Sequence, residues 1–166
     1  MDRRVFLSAS FAAMAVPHTA LARRLEPYEG PEVTSVIIYK KRRKMYLLSG
    51  DEIIETYKIE LGNNPAGPKQ FQGDGKTPEG SYVINRRNPN SQFHLSLGIS
   101  YPSVRDVAYA RAQGKNPGGD IFIHGRAGKN QGKGRDWTAG CIAVADHHIE
   151  KIYMMVRDGT FIHIYP

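Results

Sequence analysis

The 166-residue sequence predicts a strand-dominated domain with two short helices at its edges. Three observations point there. Short runs rich in β-branched and aromatic residues recur along the chain. Clusters of Gly, Pro, Asn and Asp separate them. Only two stretches carry helical spacing. No internal repeat and no second domain are apparent.

Residues 33–39 (VTSVIIY) form the first strand and residues 45–49 (MYLLS) the second. Lys40-Lys41-Arg42-Arg43-Lys44 joins them as a solvated hairpin turn; an anionic wall polymer or membrane surface is the lesser reading of this basic run. Asp51-Glu52 turns the chain into residues 53–61, where apolar and polar positions partly alternate. Residues 62–75 are too dense in Gly, Pro and Asn for anything but a loop. Thr77-Pro78-Glu79-Gly80 is a turn into a strand at 81–85, and Asn88-Pro89-Asn90 marks a second loop before residues 93–99 alternate again. Ser103 caps the first helix with Asp106 as its capping-box partner, and Gly114 ends it. Residues 121–123 form a buried-type strand that delivers His124 at its end. Asp146 is placed as the cap of the second helix, whose Ile149, Ile152, Tyr153 and Val156 recur at helical spacing. Arg157-Asp158-Gly159 stops it before a last strand at 160–165.

The first 22 residues read as an export signal rather than as part of the domain. Asp2-Arg3-Arg4 precedes an apolar stretch, and Ala20-Leu21-Ala22 has the small-residue form of a cleavage site. Arg3-Arg4-Val5-Phe6-Leu7 resembles a twin-arginine motif. The expected division is residues 1–22 signal, 23–32 lead-in, 33–166 folded domain, located in the periplasm with no stable membrane anchor after cleavage. Losing Asp2, Arg3 and Arg4 lowers the formal charge from +7 to +6, which still favours an anionic neighbour. Export and the dispersal of the cations argue against a nucleic-acid partner.

Cys141 is the only cysteine. An exported chain with one thiol has no internal disulfide, so Cys141 is either an intermolecular crosslink or a reactive group. Asp136-Trp137-Thr138-Ala139-Gly140-Cys141 follows His124-Gly125 across a polar loop containing Gly125, Gly128, Gly132 and Gly134 with Arg126, Lys129, Lys133 and Arg135. Such a loop reads as mobile and cationic, suited to covering a carboxylate-bearing substrate. A nearby imidazole is the simplest means of holding a thiol as nucleophilic thiolate. Gly140 permits a sharp turn whose amides can serve as an oxyanion hole.

His124-Gly125 followed by Thr138-Ala139-Gly140-Cys141 resembles the His-Gly…Ser/Thr-x-Gly-Cys signature of the L,D-transpeptidase (YkuD-type) catalytic domain. Lys76-Thr77-Pro78-Glu79-Gly80 is similar to that family's turn before a central strand, and residues 158–164 to its final strand. The resemblance implies a β-sandwich-like fold of mixed sheets and action on peptidoglycan stem peptides. Carried over, Cys141 is the nucleophile and His124 the general base. Gly125 orients the imidazole, and Thr138 and Gly140 shape the turn and the oxyanion site. Ala139 and Ala143 depart from the commonest family pattern and resemble a short single-domain sub-branch that includes an enzyme detaching a lipoprotein from peptidoglycan. A lipoprotein is thus a further candidate partner. A hydrolase on the same scaffold and a non-catalytic wall-binding module are the competing readings.

His94, Tyr101, Trp137 and Arg126 are the candidate substrate-binding residues. Each has a plain alternative: a core histidine for His94, a turn for Tyr101, loop packing for Trp137. Asp136 and Arg135 read as solvated, His147 and His148 as exposed at a helix start, and His163 as structural. No metal-ligand cluster and no cofactor are expected.

Overall fold

The structure, a computed structural model, describes residues 25–127 and 132–166. Residues 1–22, expected to be an export signal, and Gly128 and Lys129 lie outside the described residues. Eight strands and two helices follow in the order β1 (Ser35–Tyr39), β2 (Lys44–Ser49), β3 (Glu52–Lys58), β4 (Gly80–Ser91), β5 (His94–Ile99), α1 (Val104–Ala112), β6 (Phe122–His124), β7 (Ile142–Ala143), α2 (Asp146–Met155) and β8 (Phe161–Tyr165). The strand order across the sheet is β3-β2-β1-β8-β4-β5-β6-β7.

β4 gives the fold its sandwich-like character. Its first residues, Gly80 to Val83, pair with β8, and from Ile84 onward it pairs with β5. One strand thus belongs to two half-sheets, which face each other across a core that includes Ile38, Met45, Leu47, Ile84, Leu97, Ile123, Ile142 and Ile162, all 0% exposed. Alternation decides the inner face: in β1, Val36 and Ile38 are buried while Ser35, Ile37 and Tyr39 are not. α2 turns Ile149, Ile152, Tyr153 and Met155 into the same core.

The sheet also comes close to closing on itself. Beyond β3, Glu60 bridges Ala143 on the outer edge of β7 through a reciprocal backbone pair of 2.9 and 2.8 Å. Gly62 makes a second bridge, to Thr138. β7 is short, yet both its edges are occupied.

α1 carries the expected capping box, with Ser103 accepting from the Asp106 amide and Asp106 accepting from Ser103, and Gly114 beyond its end at φ +66°. Three expectations need correction. Asn88-Pro89-Asn90 is not a loop between strands, because β4 runs on to Ser91; the missing N–H of Pro89 falls where the register with β5 shifts, a position that tolerates proline. Asp146 does not cap α2: Ala145 is the N-cap, without a side-chain bond, and Asp146 reaches back to the amides of Arg126 and Ala127. The basic turn is not wholly solvated. Lys40 is 2% exposed and its Nζ donates to the carbonyls of Gly67 and Thr77 and to Glu79 at 2.6, 2.9 and 2.8 Å.

Lys40 therefore fastens residues 62–80 to the first hairpin. A second buried amine works within the same loop: Lys69 Nζ donates to Asp74 and to the Phe71 carbonyl, while Asp74 accepts from the amides of Gln70, Phe71 and Lys76. Removing the Lys40 amine leaves a carboxylate and two carbonyls short of a donor. Lys40→Ala is expected to cost about 3 kcal/mol of unfolding free energy in urea titrations.

Candidate active site

β6 and β7 pair in parallel, with Ile123 opposite Ile142 and His124 opposite Ala143. Opposed residues project to the same face. Carried back one residue, this register sets Cys141 opposite Phe122. Cys141 and His124 therefore share one face of neighbouring strands, offset by one pleat.

His124 is 3% exposed. Its Nδ1 lies 2.6 Å from the Gly125 carbonyl oxygen, which can only accept, so Nδ1 carries the proton and the Nε2 lone pair is left as the base. Aromatic packing fixes the ring plane. Phe93 stacks on the imidazole at 4.6 Å and Trp137 meets it edge-on at 5.7 Å. Burial holds the imidazole pKa below the ordinary value, the Gly125 bond offsets part of this, and the Arg126 charge adds to the lowering.

Cys141 is half-buried, and its Sγ–H donates to the Asp120 carbonyl at 3.4 Å rather than to His124. Burial pushes the thiol pKa up. The Phe122 N–H opposes the rise, the Asp120 charge adds to it, and Lys69 draws it down. Desolvation thus favours the uncharged form of each group, the thiol of Cys141 and the imidazole of His124.

The turn before the cysteine is closed by one hydroxyl. Thr138 Oγ1 donates to the Cys141 carbonyl at 2.7 Å and accepts from the Gly140 amide at 3.1 Å. The Gly140 N–H is therefore engaged inside the turn. Gly140 has φ +135°, and a β-carbon there would lie 2.6 Å from the Lys76 carbonyl oxygen. Both conformation and space demand glycine. The turn is held from outside by Thr138 N to Leu61 O at 3.1 Å and Asn63 N to Thr138 O at 2.9 Å.

This geometry agrees with what comparison with known proteins finds. Residues 34–164 match the model of the L,D-transpeptidase catalytic domain, YkuD. The chain belongs to this family. It is 32% identical over 125 residues to the putative L,D-transpeptidase YafK of Escherichia coli, covering 72% of this chain and 45% of YafK. Among solved structures, the helical cell shape determining protein Pgp2 of Campylobacter jejuni aligns with a TM-score of 0.63 at 28% identity, over 82% of this chain and 49% of that one. Bd1075 of Bdellovibrio bacteriovorus aligns at 0.58 and 25%, over 85% and 51%. The chain thus spans about half the length of these relatives.

Against this family frame, the remaining sequence-selected residues separate. Trp137 lies against His124, and its Nε1 is buried without a hydrogen-bond partner among the described residues. Arg126 sits with its guanidinium 5.7 Å from the Trp137 ring, donates to the Gly132 carbonyl and approaches Glu60 at 3.9 Å. His94 is elsewhere: it is exposed, has φ +74°, and meets Glu150 of α2 at 2.8 Å, so it faces the helix rather than the thiol. Tyr101 is buried, with its hydroxyl donating to the Pro117 carbonyl at 2.8 Å. Arg135 is exposed as expected, but Asp136 is not solvated. Its two oxygens accept from Arg43 Nε and Nη2 at 2.8 and 2.6 Å, and Oδ1 also accepts from the Leu61 amide at 3.1 Å. His148 packs edge-on to Tyr57 at 5.0 Å, while His147 is exposed.

Sequence reasoning missed Phe93, Asp120 and the Arg43–Asp136 clamp. Phe93 began an alternating run, and Arg43 stood in a basic cluster; neither signal named its distant partner. Among the described residues no group of three or more His, Cys, Asp or Glu side chains is placed to hold a metal ion.

Burial alone pushes the Asp136 carboxyl up, but the Arg43 guanidinium and the Leu61 amide hold it below the usual carboxylate range. Its contribution is present above the unfolded pKa of about 3.9 and is lost as pH falls through the folded value. Asp136→Asn is expected to cost about 2 kcal/mol at pH 7, a deficit that shrinks on acidification below pH about 4; unfolding titrations across pH 2–7 check both. Gly140→Ala is expected to lower stability by about 2 kcal/mol through strain at that φ, and to suppress thiol-dependent turnover.

Proposed function

We propose that this chain is a cysteine-dependent L,D-transpeptidase that acts on peptidoglycan stem peptides through an acyl-enzyme on Cys141. The observation that carries this reading is the parallel β6–β7 pairing, which sets Cys141 and His124 on one face with the imidazole Nε2 free to accept. Membership of the L,D-transpeptidase family supports the reaction class.

Substrate binding rotates Sγ away from the Asp120 carbonyl and toward Nε2. The thiol proton passes to Nε2 as sulfur attacks the carbonyl carbon of the scissile amide. With the Gly140 amide engaged by Thr138, the Cys141 N–H is the donor at the turn for the developing oxyanion. The imidazolium returns its proton to the departing amine, the C–N bond breaks and a thioester remains. An acceptor amine or water then attacks the thioester carbonyl. The C–S bond breaks, and the acceptor's proton returns through Nε2 to the thiol. The neutral resting pair means that the base exists without prior deprotonation at neutral pH, and that the thiol is protected between turnovers.

Gly125 acts as the acceptor that sets the imidazole tautomer. Thr138 and Gly140 hold the turn. Trp137 and Arg126 border the imidazole and belong to the substrate-facing wall; the placements of His94 and Tyr101 favour structural roles. Residues 1–22 direct export to the periplasm, and residues 33–166 are the catalytic domain. No helix of the described residues is long and apolar enough to cross a membrane. Pgp2 is described as determining helical cell shape, which supports wall remodelling as the setting of this reaction.

Incubation with soluble stem peptides, followed by mass spectrometry, is expected to show exchanged or crosslinked products that vanish in Cys141→Ser and fall at least 100-fold in His124→Asn. Trimmed peptides alone would assign hydrolysis instead, and equal turnover by wild type and Cys141→Ser would end the catalytic reading. Because burial lowers the His124 pKa, the acidic limb of kcat/KM is expected below pH 6.5. A limb above that value would contradict the buried neutral base.

A further inference from the structure

The outer face of the first half-sheet has no partner among the described residues. α1 and α2 both pack on the opposite side: inward-facing Tyr82 donates to Asp106 of α1 at 3.1 Å, and inward-facing Tyr57 meets His148 of α2. Register defines what the open face carries. One row across β3, β2, β1 and β8 reads Lys58, Lys44, Tyr39, Tyr165. The next reads Thr56, Tyr46, Ile37, His163, with Ser81 of β4 beyond. A third holds Leu48, Ser35, Phe161 and Val83.

Two features of this face have no structural justification of their own. Phe161 is 58% and Tyr165 45% exposed, on strands whose inward residues are buried. Lys44 and Lys58 stand directly opposite each other, and neither these two nor Lys41 and Arg42 pair with a carboxylate among the described residues. Like charges in direct opposition destabilise a sheet. The aromatic rings are also organised. Tyr39 and Tyr165 stack at 5.4 Å with planes 23° apart, Phe161 and His163 lie 11° from parallel, and Arg42 sits 5.0 Å over Tyr39.

We propose that this face docks the glycan strands of peptidoglycan, with the aromatic rows taking the C–H faces of the pyranose rings and Lys44, Lys58 and Arg42 taking the carboxylates of their acidic stem peptides. The exposed rings of Phe161 and Tyr165 suit flat, C–H-rich sugar rings. The uncompensated cations supply charge complementarity to an anionic polymer. The docking face is separate from the thiol, so an anchored strand leaves the catalytic turn open to a neighbouring stem. The choice of polymer rests on the wall-substrate reading above; the existence of a docking face does not.

The test is co-sedimentation of the full chain, made inactive by Cys141→Ala, with insoluble peptidoglycan sacculi at rising salt. Retention is expected to fall with salt, and about tenfold in apparent affinity for Lys58→Glu and for the double variant Phe161→Ala/Tyr165→Ala. Lys58→Glu turns a repulsive cross-strand pair into an attractive one, so its Tm is expected to rise while its retention falls, a combination that loss of structure does not produce. With Cys141 intact, the same variants are expected to process a soluble stem peptide at the wild-type rate. Wild-type retention by both variants overturns the proposal. So does a concentration-dependent dimer in sedimentation velocity that the variants abolish, since the face is then covered by a second copy. A parent protein that binds sacculi but turns over no soluble peptide would instead refute the catalytic reading and leave the docking face standing.

Discussion

The site depends on the occupation of both edges of β7. A two-residue strand has little pairing energy of its own. β6 on one side and residues 60–63 on the other convert this weak element into a fixed one. The candidate site hangs from that bracket: the register that sets Cys141 and His124 on one face, the anchoring of Thr138, and the close approach of Gly140 to the Lys76 carbonyl. Gly62 and Gly75 meet there so tightly that a β-carbon on Gly62 would collide with the Gly75 carbonyl.

Electrostatics supports the same bracket from a distance. Lys40 and Lys69 are buried amines whose donors are consumed by loop carbonyls and carboxylates, so each charge organises a loop that carries few apolar contacts. Arg43 and Asp136 join the first hairpin to the approach of the catalytic turn in a two-pronged pair. Basic residues that look alike in sequence thus play different parts. Lys40 and Arg43 point inward as fasteners, and Lys41 and Arg42 remain at the surface.

Local signals carried well into the structure. Strand alternation, the Ser103–Asp106 box and the apolar spacing of α2 each depend on near neighbours, and all are present. His124 and Cys141 stand out as candidates because residue type and motif spacing name them without any knowledge of distance. What escaped was long-range pairing. Nothing in residues 60–63 announces β7 as their partner, and a basic turn does not reveal which cation is buried. Asp146 looked like a cap because Asp commonly is one; its carboxylate found better donors in the backbone of the loop after His124. Residue type and spacing are visible in sequence, but desolvation is a property of the packed state.

The clamp between Arg43 and Asp136 joins residues 93 positions apart, and β1 lies beside β8, so the first and last strands of the domain are neighbours. Contacts of such sequence separation form slowly, since the loops they close must lose their entropy first. The turn before Cys141 therefore leans on contacts that no local segment supplies. A partly folded or truncated chain holds Cys141 without its bracket or its turn. On the proposed reading, completing the site and completing the fold are one requirement.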